Sequence, residues 1–88
     1  MHVIFTPGAK RDLSKLHKIS QILILEKLKK LETGAPTTSV EKLVGYKSVF
    51  RIRLGNYRVV YRKIGGKIYI VLIGHKKDIY EKLKRLIS

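Results

Sequence analysis

The stretch from Arg51 to Lys63, RIRLGNYRVVYRK, constrains this chain more than any other, because its alternation of basic and apolar residues fits a β-hairpin with a basic face and an apolar face. The Gly55-Asn56 pair suits a two-residue turn, with glycine at the first central position taking the positive φ of a type II′ loop. The register follows from that turn. Leu54 meets Tyr57, Arg53 meets Arg58, Ile52 meets Val59, Arg51 meets Val60 and Phe50 meets Tyr61. Side chains alternate across a strand, so Phe50, Ile52, Leu54, Tyr57, Val59 and Tyr61 form one sheet face, and Arg51, Arg53, Arg58 and Arg62 lie on the other. Like charges directly opposed destabilise a strand pair by a few tenths to about 1 kcal/mol. The Arg53 and Arg58 pair is therefore either an invitation to an anion or a solvated face with splayed guanidiniums.

Composition favours the anion. The 88 residues carry 20 Lys and Arg against 6 Asp and Glu, a formal charge of +14. A field of that size points to a polyanionic partner. No acid between Lys42 and Lys77 offsets the ten basic residues there, so the positive region is local to the strands. Nucleic acid is favoured over lipid, because the arginines alternate along strands and no basic amphipathic helix with an aromatic face stands out. Cysteine is absent, which removes disulfides and thiolate metal sites. The apolar run Ile22–Leu25 is far too short to span a bilayer, and Met1 leads straight into a strand-like segment rather than a signal core. A cytoplasmic location is expected. The length is that of a single domain, residues 1–88, able to bury roughly 60% of its unfolded surface.

Along the chain, His2–Phe5 is β-prone, and Thr6-Pro7 starts a helix with a hydroxyl at N-cap and proline at N1. That helix is expected to end near His17. Ser20 is the expected cap of a second helix, in which Ile24, Leu28 and Leu31 form a stripe that Leu25 widens. Ile22 and Leu23 lie partly off the stripe, and either pack on the first helix or form a partner-binding surface. Gly34 and Pro36 stop the helix. Residues 41–45 are ambiguous, with a short extended piece as one reading. After the hairpin, Gly65-Gly66 turns the chain into a strand over 67–74 whose core, Ile68–Ile73, is apolar throughout and so buried on both faces. Ile79, Leu83, Leu86 and Ile87 mark a terminal helix. The order β-α-α-β-β-β-α describes an α+β domain: two N-terminal antiparallel helices packed on a small, mainly antiparallel twisted sheet, with a short C-terminal helix.

That order, with RIRLGNYRVVY and VLIGHKKDIY, resembles the RelE branch of the RelE/ParE toxin superfamily over nearly the whole chain. The shared signature is a basic strand, a G-x-Y-R-x-x-Y second strand and a G-H-x-x-x-x-Y close. The resemblance implies a toxin of a type II toxin-antitoxin system: a ribosome-dependent endoribonuclease that cuts messenger RNA in the A site without metal or cofactor. Its 2′-hydroxyl mechanism attacks the adjacent 3′-phosphate, and translation stops. It also implies an acidic RelB-like antitoxin, the ribosome and mRNA as partners, no membrane, and a toxin-antitoxin heterotetramer.

By motif position, Arg58 and Arg53 are the phosphate candidates, since guanidinium forks bind phosphate bidentately and stabilise charge gained in the transition state. Lys76 falls where many relatives carry arginine, so it offers a point charge rather than a fork. Tyr80 matches the C-terminal tyrosine that stacks on a base or serves in proton transfer. His75 follows the glycine of the last strand, and with no bulge after the Gly65-Gly66 turn it lies beside Asn56 on the arginine side; proton exchange, a structural hydrogen bond and an RNA contact are its alternatives. Arg51, Arg62, Lys47 and Lys77 complete the RNA-binding candidates. Glu41 is a weaker candidate for a base. The histidines have no metal-ligand spacing. Two rivals stand beside the nuclease: a ParE-like inhibitor of DNA gyrase without nuclease activity, and a non-catalytic RNA-binding module.

Overall fold

The structure is a computed structural model that describes residues 2–34 and 39–87. Strand β1 (His2–Phe5) leads into helix α1 (Pro7–Ser14), followed by α2 (Lys18–Glu32), β2 (Val40–Lys42), β3 (Val49–Leu54), β4 (Tyr57–Ile64), β5 (Lys67–His75) and α3 (Ile79–Ile87). The five strands form one sheet in the order β1-β5-β4-β3-β2. Only β1 and β5 run parallel; the other pairs are antiparallel. The α+β class and the helix arrangement match the expectation from sequence. The addition is β2, a short extended piece that overlaps the start of the segment 41–45 left ambiguous by the sequence. It pairs Val40 with Ile52, Glu41 with Arg51 and Lys42 with Phe50.

Helix α1 begins where the Thr6-Pro7 signal places it. Thr6 Oγ1 accepts from the Ala9 N–H at 3.2 Å and donates to the Ile70 carbonyl at 2.9 Å, so one hydroxyl caps the helix and ties it to β5. The helix stops at Ser14 instead of near His17, and α2 starts after His17 rather than at Ser20. The turn between them is closed locally: Leu16 N–H donates to the Leu13 carbonyl, and Gln21 Nε2 reaches back 2.9 Å to the Leu16 carbonyl. Ser20 therefore falls inside the first turn of α2. Gly34 takes a φ of 79° just past α2, as a C-terminal glycine should. Pro36 lies outside the described residues.

The sheet is buried on both faces. On one, Ala9 of α1 and Ile24 and Leu28 of α2 pack on Ile52, Val59, Tyr61, Ile68, Ile70 and Ile73. On the other, Ile79 and Leu83 of α3 pack on Val49, Val60 and Leu72. Leu86, expected on the buried face of α3, is exposed. The side chain of Ile87 lies outside the described residues. Ile22 and Leu23 are 48% and 54% exposed, which excludes the reading that α1 covers them.

The β3–β4 register is the one the alternation dictates, from Phe50 opposite Tyr61 to Leu54 opposite Tyr57. Gly55 has φ 58° and Asn56 is not in the left-handed region, as a type II′ turn requires. The β4–β5 ladder contains a bulge. Tyr61 pairs with Ile70 and Val60 with Leu72, so Val71 is the extra residue, and it packs against the α3 cluster. Every residue of β5 beyond it is shifted by one.

Candidate functional site

The bulge decides which side chains share the arginine face. Beyond it Arg58 pairs with Gly74 and Tyr57 with His75. One row across three strands therefore reads Arg53, Arg58, Gly74 on the α3 face, and the next reads Leu54, Tyr57, His75 on the face of α1 and α2. His75 is thus not beside Asn56 on the arginine side. Its ring meets Tyr57 edge-on at 6.1 Å, and its Nδ1 accepts from the Lys77 N–H at 3.2 Å. With no bulge Val71 would already face α3; the bulge brings Leu72 to that face as well, beneath Ile79 and Leu83, and places Ile73 in the core under α1 and α2.

Arg58 is buried, at 9% exposure. Its Nη1 donates to the carbonyls of Gly55 and Tyr57, both at 2.9 Å. The hairpin turn thereby holds one edge of the guanidinium and leaves its other N–H groups for a ligand, a preorganised cation rather than a freely swinging one. Arg53, directly opposite, is exposed. Lys76 follows β5, and its N–H donates to the Asn56 carbonyl at 2.8 Å, which pins the backbone of that lysine to the same hairpin tip.

Gly74 seats the third element. A Cβ built there would lie 3.4 Å from Ile79 Cδ1, so the first residue of α3 rests on the glycine that ends the arginine row. Tyr80 follows at once, 40% exposed while Ile79 and Leu83 are buried. Its ring is therefore not core packing. Arg51 pairs with Val60 one row back from Arg53, and its Nη2 lies 2.7 Å from Glu41 Oε2. Glu41, doubtful as a base from sequence, is a partner of Arg51.

The structure separates the remaining candidates. Arg62 lies four residues from Arg58 along β4, about 13 Å at strand spacing, and Val60 between them is buried under α3. Lys47 and Lys77 are exposed in the segments flanking β3 and β5. Among the described residues no three of His, Asp or Glu gather where they could hold a metal ion. No described helix is long and apolar enough to cross a membrane. A cleft of about 340 Å³ lies on the opposite face, between α2 and the hairpin tip, lined by Leu23, Ile24, Lys27, Leu54 and Tyr57. It is apolar and shares no residue with the arginine row.

The family model described as the ParE toxin of type II toxin-antitoxin system, parDE, matches residues 3–80. The chain belongs to this toxin family. Solved structures that resemble the toxin fold include RelE proteins of the same superfamily. The RelE-RelB complex of Pyrococcus horikoshii is 28% identical, with 85% of this chain and 93% of that chain covered and a TM-score of 0.72. The RelBE2 toxin-antitoxin complex of Mycobacterium tuberculosis is 27% identical over 85% and 96% of the two chains, with the same TM-score. The isolated RelE toxin of E. coli shares the fold, with TM-score 0.73 over 98% of each chain and 22% identity. No curated protein matches the toxin chain in sequence.

Proposed function

We propose that this toxin is a ribosome-dependent endoribonuclease that cleaves messenger RNA in the A site. The observation that carries the reading is the row in which Arg53 faces Arg58, with Arg58 oriented by the Gly55 and Tyr57 carbonyls, at the end of which Ile79 of α3 seats on Gly74 next to the exposed Tyr80 in sequence. Opposed guanidiniums cost stability when empty and suit a phosphate between them. In the reaction the 2′-oxygen of one nucleotide bonds to its own 3′-phosphorus, the bond from phosphorus to the next 5′-oxygen breaks, and the proton lost from the hydroxyl is balanced by one gained at the leaving oxygen. Arg58 and Arg53 stabilise the charge that the phosphate gains, and Lys76 adds a point charge. Tyr80 stacks on a base or hands on a proton. Arg51 assists, and Lys47, Arg62 and Lys77 engage more distant phosphates. His75, on the other face, contributes no contact to the scissile phosphate.

A cognate antitoxin is part of the reading. The two archaeal and mycobacterial RelE structures named above are complexes with RelB-type antitoxins, and here α2 exposes Ile19, Ile22, Leu23 and Leu25 on a chain of net charge +14. An acidic RelB-like protein would neutralise that field and cover the apolar side chains. Both proteins act in the cytoplasm, where ribosomes are. The test is direct: the purified chain is added to translating ribosomes and message ends are mapped. New ends within codons at the A site support the proposal, and intact message at full ribosome occupancy overturns it. The family model is named for the ParE toxin, and the second reading is inhibition of DNA gyrase, as the ParE resemblance implies. A supercoiling assay separates the two.

A further inference from the structure

The arginine face carries its own anion. Glu41 sits opposite Arg51 in the β2–β3 ladder, with its Oε2 2.7 Å from Arg51 Nη2. Backbone bonds fix this placement on both sides: Arg53 N–H donates to the Ser39 carbonyl at 3.0 Å, and Leu43 N–H donates to the Val49 carbonyl at 2.9 Å. The two side chains are unequal. Arg51 is 18% exposed, whereas Glu41, on a three-residue edge strand, is 66% exposed. The cation is held in place and its carboxylate is free to leave. A carboxylate and a phosphate compete for the same fork of N–H groups.

We propose that Glu41 is a built-in counter-ion that an RNA phosphate must displace from Arg51, so that this carboxylate sets how tightly the arginine face holds RNA. The inference rests on the RNA-binding reading above, and it makes Glu41 a positioning residue acting through Arg51. In the absence of RNA the pair keeps the guanidinium extended along the face and reduces its pull on stray polyanions. When RNA binds, Glu41 swings into solvent. The exchange lowers the net gain from Arg51 without changing the charges of Arg53 and Arg58.

The test measures binding of a short fluorescein-labelled 2′-O-methyl oligoribonucleotide, which lacks the attacking hydroxyl, by anisotropy to the wild type, E41Q, R51Q and the double variant. E41Q is expected to bind roughly threefold to tenfold tighter at about 50 mM salt, and its advantage should shrink about 2.5-fold by 200 mM, as one more engaged phosphate on a single strand requires. A merely structural effect of the substitution would not steepen the salt dependence. In the R51Q background, E41Q should bring no gain. E41Q binding no tighter than wild type overturns the inference, as does a gain that persists without Arg51. Ribosomal cleavage is scored separately. Normal cleavage with unimproved E41Q binding defeats the counter-ion alone, whereas tighter E41Q binding by a chain that cuts no message defeats only the nuclease.

Discussion

Arg58 has a structural role and a proposed catalytic one, which a single pair of variants can separate. Its Nη1 supports the hairpin tip through the Gly55 and Tyr57 carbonyls, and its remaining N–H groups are the proposed contacts to phosphate. A hydrogen bond from a charged donor contributes about 1.5–3 kcal/mol, but both bonds share one nitrogen and accept at a turn that water reaches, so together they are worth about one such bond. Arg58→Ala also relieves the repulsion with Arg53, up to about 1 kcal/mol. The net expected loss is about 1–2 kcal/mol, a fall in Tm of roughly 4–16 °C for a domain of this size. Arg53→Ala relieves the same repulsion without removing a hydrogen bond to the turn, so its Tm should stay level or rise slightly. In cleavage the two variants should behave alike, each losing a cationic donor worth about 10²–10³ in rate, with a much smaller loss of ribosome binding. Thermal melts by circular dichroism and message-end mapping on ribosomes provide the two readouts. If Arg58→Ala melts within a degree of wild type, or Arg53→Ala falls as far, the supporting role of the guanidinium is wrong. Equal losses of cleavage and ribosome binding would make Arg58 a docking residue only.

The other predictions concern the elements around that row. Asp12 Oδ2 accepts from the Ile73 N–H at 3.1 Å, beyond the end of β1; Asp12→Ala should cost about 1–3 kcal/mol by leaving that donor unpaired, and Asp12→Asn, which keeps an acceptor, should recover most of it in urea melts. Burial pushes the Tyr61 phenol above its ordinary value, so the folded chain holds that proton more tightly than the unfolded one. Its contribution is complete below about pH 10 and is lost as pH rises through the raised folded value, so the stability of Tyr61→Phe relative to wild type should be constant from neutral pH to about pH 10 and improve above it. At Gly74 an added Cβ meets only the flexible end of Ile79 at 3.4 Å, so Gly74→Ala should fold with little loss. Gly74→Val should cost about 1–3 kcal/mol and loosen α3, read as faster amide exchange in that helix.

Much of the fold was legible because local chemistry and periodicity agreed. Thr6-Pro7 and Gly34 marked helix ends through hydrogen-bonding and φ requirements that operate locally. The hairpin register followed from one glycine, which places the turn, and an alternation in which a one-residue slip would have put arginines in the core. The start of α2 was not legible in the same way. Ser20 is a good cap by type, but the chain between the helices closes through Gln21 and the Leu16 carbonyl, a side-chain contact that no propensity encodes. Strand β2 has three residues, too few for a period, and exists because β3 offers it an edge.

The misplacement of His75 shows where such reading stops. From Ile68 to Ile73 every side chain of β5 is apolar or aromatic, so both registers bury the strand equally well by pattern, and the alternation that fixed β3 against β4 carries no information about β5. The tertiary packing distinguishes them. Val71 faces α3 in either register; the bulge adds Leu72 to the cluster of Val49 and Val60 beneath Ile79 and Leu83 and gives Ile73 to the core under α1 and α2. One residue of bulge then swaps the last residues of β5 between the faces: Gly74 comes to the arginine row and His75 leaves it. A glycine at the end of the row lets α3 approach, with Ile79 Cδ1 3.4 Å from where a Cβ would stand. A histidine there would meet Ile79 instead. The sequence pattern identified the cations, and tertiary packing selected which of them have company.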